Sequence, residues 1–152
     1  MIYVECKPDF ALVKSITSIP KGEIIHQKGK SRVCQKLEKD KNCKGLLDED
    51  PLSTQPPYMR EVKLEGDLFQ AELKVFHDES NGNYLFVLCP RLEDWILEAT
   101  KEAHLSMKKY GLPNTSEKLH RVINIDLSKF EKLLTDLKDS QRLKTLRKLL
   151  ES

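Results

Sequence analysis

The four cysteines, Cys6, Cys34, Cys43 and Cys89, form no C-x-x-C pair, and no two histidines stand close enough in sequence to complete a metal-binding set. That argues against a zinc site of ordinary spacing and fits free, buried thiols in a reducing compartment. A basic-then-apolar leader is missing too, because Met1–Glu5 passes directly into strand-like sequence. No apolar run approaches the roughly 20 residues that a membrane-spanning helix needs. The expectation is a cytoplasmic protein without a membrane partner. Internal repeats and low-complexity tracts are absent, which leaves out solenoids and compositional linkers. There is little excess charge of either sign: the formal net charge is +2. A complete P-loop is lacking as well, since Gly29-Lys30-Ser31 is only a fragment of that pattern.

What is present suits one well-buried core. A chain of 152 residues is too short for two ordinary domains, and 39% hydrophobic with 33% charged residues gives a core inside a charged surface. Positive charge concentrates in one place. Between Lys28 and Lys44 there are seven basic residues (Lys28, Lys30, Arg32, Lys36, Lys39, Lys41, Lys44) against Glu38 and Asp40. This stretch fits either the wet face of a helix or a contact with nucleic acid.

The order of elements predicts an α/β fold. Residues 2–5 read as a strand, and Lys7-Pro8-Asp9 as the start of a helix with Phe10, Val13 and Ile16 on its inner side. Glu23–His26 reads as a second strand. Ser31 is the expected N-cap of a second helix, and Lys44–Asp48 the third strand. Strand, helix, strand, helix, strand predicts right-handed crossovers and a mostly parallel sheet. Leu73–His77 and Tyr84–Cys89, joined through Asn81-Gly82, add an antiparallel edge strand, and the continuously apolar Tyr84–Cys89 is expected to be covered on both faces. Leu52–Tyr58 reads as an extended loop whose Pro56-Pro57 pair makes it a fixed rim. From Pro90 onwards the pattern is helical, with Trp95 in the core stripe. Residues 1–103 are read as the α/β domain and 104–152 as a C-terminal helical extension packed on it.

The chemistry converges on CKGLLDEDP (Cys43–Pro51), an apolar run that stops on Asp48 and Asp50. Alternate residues of a strand share a face, so Asp-x-Asp at a strand end aims two carboxylates at one hard cation. Taken alone, the same residues also fit a charged turn with a proline stop. The IYVE run (Ile2–Glu5) ends on an acid in the same way. If the two are neighbouring parallel strands, Glu5, Asp48 and Asp50 meet at the carboxyl edge of the sheet, where open α/β folds bind ligands. Lys30 and Ser31, ahead of the second helix, are candidates to bind phosphate.

VECKPD (Val4–Asp9) and LLDED (Leu46–Asp50) resemble the two acidic motifs of Toprim domains, over roughly residues 2–100. The resemblance is to small stand-alone members near the OLD nucleases and ribonuclease M5. It implies a Toprim-like sheet flanked by helices, with Mg²⁺ (or Mn²⁺) held by Glu5, Asp9, Asp48 and Asp50 for phosphodiester chemistry on DNA or RNA. Glu5, Asp48 and Asp50 are the implied catalytic residues. Glu93, after the fourth strand, matches a further acid of OLD-like proteins. Cys6 departs from the family, which usually has glycine there. It motivates the alternative of a noncatalytic, degenerate Toprim-like module that binds a metal, nucleotide or protein. A third expectation has the acids apart and the chain acting as an adaptor through its leucine-rich helices.

Overall fold

A computed structural model describes residues 1–152. Its six-stranded sheet has the order β2-β1-β3-β6-β5-β4. The strands are β1 (Ile2–Val4), β2 (Ile24–His26), β3 (Lys44–Asp48), β4 (Lys63–Leu68), β5 (Leu73–Asp78) and β6 (Asn83–Leu88). Neighbours among β2, β1, β3 and β6 pair in parallel, while β5 runs antiparallel to both β6 and β4. This is the mostly parallel α/β sheet with an antiparallel strand that the sequence predicts. One addition was not expected: β4 pairs outside β5 and forms the edge. Its sequence KLEGDL carries three charges and a glycine, and only Gly66 and Asp67 in it are even partly buried. An edge strand of that kind shows no apolar alternation.

Seven helices flank the sheet: α1 (Lys7–Ile16), α2 (Lys30–Lys39), α3 (Pro57–Glu61), α4 (Leu92–Glu102), α5 (Ser116–Ile123), α6 (Ser128–Leu137) and α7 (Gln141–Glu151). The period-2 alternation of the strands divides the core. Ile2, Val4, Leu46, Phe86 and Leu88 face one way, into a cluster with α1 and α4 that also takes in Leu119, Phe130, Leu134, Leu143 and Leu146 of the last three helices. Tyr3, Leu47, Leu85 and Val87 face the other way, against Val33, Cys34 and Leu37 of α2 and Tyr58 of α3. The C-terminal helices therefore complete the main core, and β6 is apolar from Leu85 to Leu88 because both its faces are covered. Each fully buried Leu or Phe adds roughly 1.5–3 kcal/mol to this arrangement.

Close packing of α2 on β3 depends on Gly45. A Cβ there would stand 2.9 Å from Leu37 Cδ1, 3.0 Å from Leu85 Cδ1 and 3.1 Å from Val33 Cγ1. Trp95 is fully buried and donates from Nε1 to the Ala71 carbonyl at 2.6 Å. Arg142, also buried, bonds Glu102 at 3.0 and 2.9 Å and Glu72 at 3.1 Å, tying α7 to α4 and to the turn before β5.

Two local readings are corrected. Gly29, with φ 102°, is the N-cap of α2, so Ser31 lies inside the first turn and is exposed. The Pro56-Pro57 pair does not keep the chain extended as far as Tyr58. Pro57 is the first residue of α3, where a proline lacks nothing that the helix needs, and Tyr58 turns into the core, its hydroxyl donating to Asp78 at 2.9 Å.

Candidate metal centre

The strand order places the site. From β1 the chain crosses through α1 to β2 on one side, then returns through α2 to β3 on the other side of β1. The gap between β1 and β3 is thus a point where the winding reverses, the position at the carboxyl ends of the strands where open α/β folds bind ligands. Val4 is level with Leu46 in the parallel register, so Glu5 stands one residue and Asp48 two residues beyond that pair, at neighbouring strand ends. The Asp48 N–H donates to Glu5 Oε1 at 3.3 Å.

Asp9 joins them from the first turn of α1. Glu5, Asp9 and Asp48 each present a carboxylate oxygen within 4.8 Å of the other two. Asp9 is fully buried, and neither of its oxygens has a hydrogen-bond partner; Asp48 Oδ1 is buried and unpartnered as well. Buried polar atoms are almost always paired, so three buried carboxylate oxygens without a hydrogen-bond partner beside this group call for protons or a cation. Burial pushes Asp48 up to about 8, helped by the charge of Glu5 and opposed by the Leu92 N–H and by Lys30. Burial, then Asp48 and Glu5, raise Asp9 well above the usual carboxylate range. Glu5 is raised by burial against the pull of the Asp48 N–H. Desolvation and like charge act together here.

The other expected residues are placed differently. Asp50 is outside the three-acid group. Its backbone has φ 40°, so the extended alternation that would have brought it beside Asp48 is broken after Glu49. Its charge still reaches Glu5. Glu93, in the first turn of α4, is also outside the group, yet it is buried and its charge bears on Glu5, Asp9 and Asp48 alike. Lys30 is spent on the loop after β3: Nζ donates to the Glu49 carbonyl at 2.8 Å, Ser53 Oγ at 3.1 Å and Gln55 Oε1 at 3.2 Å. All three ammonium donors are used, and Ser53 and Gln55 are turned inwards with them. Ser31 makes no side-chain hydrogen bond at the helix start.

One residue beside the site has no signal in the sequence. His120 Nδ1 lies 2.7 Å from Glu93 Oε1. The two are 27 positions apart and belong to different helices, so no short-range spacing joins them.

The donor set, carboxylate oxygens alone, fits a hard divalent cation such as Mg²⁺ or Mn²⁺. Fold and site together define a doubly covered α/β protein with an acidic centre at a winding reversal. Comparison of the chain with protein-family models, curated proteins and solved structures finds no match.

Proposed function

We propose that the chain binds Mg²⁺ or Mn²⁺ at Glu5, Asp9 and Asp48 and performs phosphodiester chemistry on nucleic acid there, as a Toprim-like protein. The observation that carries this reading is Asp9, fully buried with both oxygens unpartnered and facing Asp48 and Glu5. The cation would supply Lewis-acid polarisation of a phosphoryl oxygen. Asp9, the fully buried member, and Asp48 would help to hold it. Glu5 and Asp48 are both half-buried, and Glu5, which ends the neighbouring strand, would be the group to take a proton from an attacking water. Lys30 contributes charge to the site at a distance, since its donors are committed to the loop.

A noncatalytic module is the second reading, and one observation favours it. Five surface pockets are lined by other residues and none of these five by Glu5, Asp9 or Asp48, so the acids lie apart from them. One experiment separates the readings. Mn²⁺ titration by calorimetry is combined with incubation of labelled DNA and RNA in Mg²⁺ or Mn²⁺, for the wild type and Asp48→Asn. Cleavage lost in the variant supports the enzyme, and tight binding without turnover supports the module. Cleavage that survives the substitution, or a wild type that binds no cation, removes the site.

A further inference from the structure

Glu93 is a carboxylate held almost wholly out of solvent. Its side chain is only 6% exposed, and the charges of Glu5, Asp9 and Asp48 all bear on it. Repulsion and side-chain entropy both favour a rotamer that swings it out into water. Something holds it in.

The contact that does so comes from α5. His120 Nδ1 is 2.7 Å from Glu93 Oε1 and 3.3 Å from Asn124 Nδ2. The Asn124 amide already donates to the His120 carbonyl at 2.7 Å. The shorter contact, to an oxygen acceptor, sets the tautomer: Nδ1–H donates to Glu93. The imidazole itself is 64% exposed, but its helix is fixed by Leu119 and Ile123, which are buried in the main core on either side of it. A mobile surface side chain is thus anchored at its root, with one hydrogen bond directed inwards.

We infer that His120 is a positioning residue for the acidic centre, holding Glu93 in so that its negative charge stays beside the cation that Glu5, Asp9 and Asp48 would bind. This rests on the reading of the centre as a divalent-cation site. The acidic cluster does not stand alone in support of that reading, because Asp9 is a fully buried, unpartnered carboxylate aimed into it. Outer partners that orient carboxylates near a metal alter affinity strongly without being ligands. The C-terminal third of the chain, beyond the stretch that resembles Toprim sequences, then contributes to the site itself.

The test measures Mn²⁺ affinity of the full chain from the free-ion electron paramagnetic resonance signal, with urea midpoints recorded alongside. His120→Ala is expected to weaken Mn²⁺ binding by about 10- to 100-fold. His120→Asn, whose Nδ2 can occupy nearly the position of the imidazole Nδ1, is expected to restore most of it. Asp48→Asn serves as the control that loses binding altogether. Wild-type affinity in His120→Ala, with Asp48→Asn inactive in binding, overturns this inference and leaves the cation site standing. Failure of His120→Asn to restore affinity overturns it also, because the hydrogen bond is then not what matters. Should the alanine variant melt early, the asparagine variant decides alone. A wild type that binds no Mn²⁺ overturns both the inference and the site.

Discussion

Replacing Asp48 by asparagine should stabilise the metal-free protein, by an amount that grows with pH. In the folded chain Asp48 is pushed from its ordinary value of 3.8 up to about 8. Between those two values the folded state holds a proton that the unfolded chain has released. Folding therefore weakens as pH rises through this window, by up to ~1.4 kcal/mol per pH unit. The penalty is absent below about pH 4 and complete above about pH 8. Taken alone, the interval corresponds to roughly 5–6 kcal/mol. Protonating Asp9 or Glu5 relieves part of the same repulsion, so removal of one carboxylate recovers about 2–4 kcal/mol at pH 8.5. Asparagine keeps nearly the same shape, and its oxygen can still accept the Leu92 N–H. Urea unfolding of both proteins in chelator, at intervals from pH 4.5 to 8.5, checks this. The variant should match the wild type at the acid end and exceed it progressively towards the alkaline end. A difference that stays constant with pH, or a variant less stable at pH 8.5, would refute the argument that crowded, desolvated carboxylates strain the site.

Cation binding should show the complementary dependence. Asp48 and Asp9 must release protons to ligate, so the apparent Mn²⁺ affinity should rise with pH up to about 8 and then level off; calorimetry in two buffers of different ionisation enthalpy will show the proton release, and a pH-independent affinity counts against it. Gly45→Ala should cost about 1–3 kcal/mol in urea unfolding, because the new methyl meets three side-chain carbons at 2.9–3.1 Å; a neutral result would mean that α2 moves away freely. Arg142→Leu should cost about 2–4 kcal/mol, since Glu102 and Glu72 lose their shared partner while remaining partly hydrated. A calorimetric melting point within one or two degrees of the wild type would contradict that; a 1 kcal/mol loss already moves a domain of this size by roughly 2–8 °C.

Much of the architecture was legible because it is written in short-range patterns. IYV and KGLLD alternate onto two covered faces, YLFVL is apolar because it is covered twice, and Pro8 marks the start of α1. What escaped is tertiary. The KLEGDL strand exists because β5 offers it a partner, and nothing in its own residues requires it. Ser31 lost the cap to Gly29 because the chain turns through a positive φ that only the approach from β2 demands. In the site, Glu5 and Asp48 followed from strand ends and Asp9 from the likeness of VECKPD to a Toprim motif, whereas Asp50 was misplaced by assuming that β geometry continues past the strand. Its positive φ ends that periodicity one residue too early. Lys30 looked free in sequence and is bound three times over in the fold.

Two helices begin at the carboxyl edge beside the acids, α1 at Lys7 and α4 at Leu92. Each brings the partial positive charge of a helix N-terminus, equivalent to about half an elementary charge, close to the carboxylates. The Leu92 N–H already lowers the burden on Asp48. The field has two consequences of opposite sign. It eases the crowding of negative charge when no ion is bound, so the protein can fold before it is loaded. The same field repels an incoming cation by roughly 0.3–1 kcal/mol for each helix end. An ion in this centre would accordingly be held less tightly, by about 1–2 kcal/mol in all, than by the same carboxylates away from helix starts.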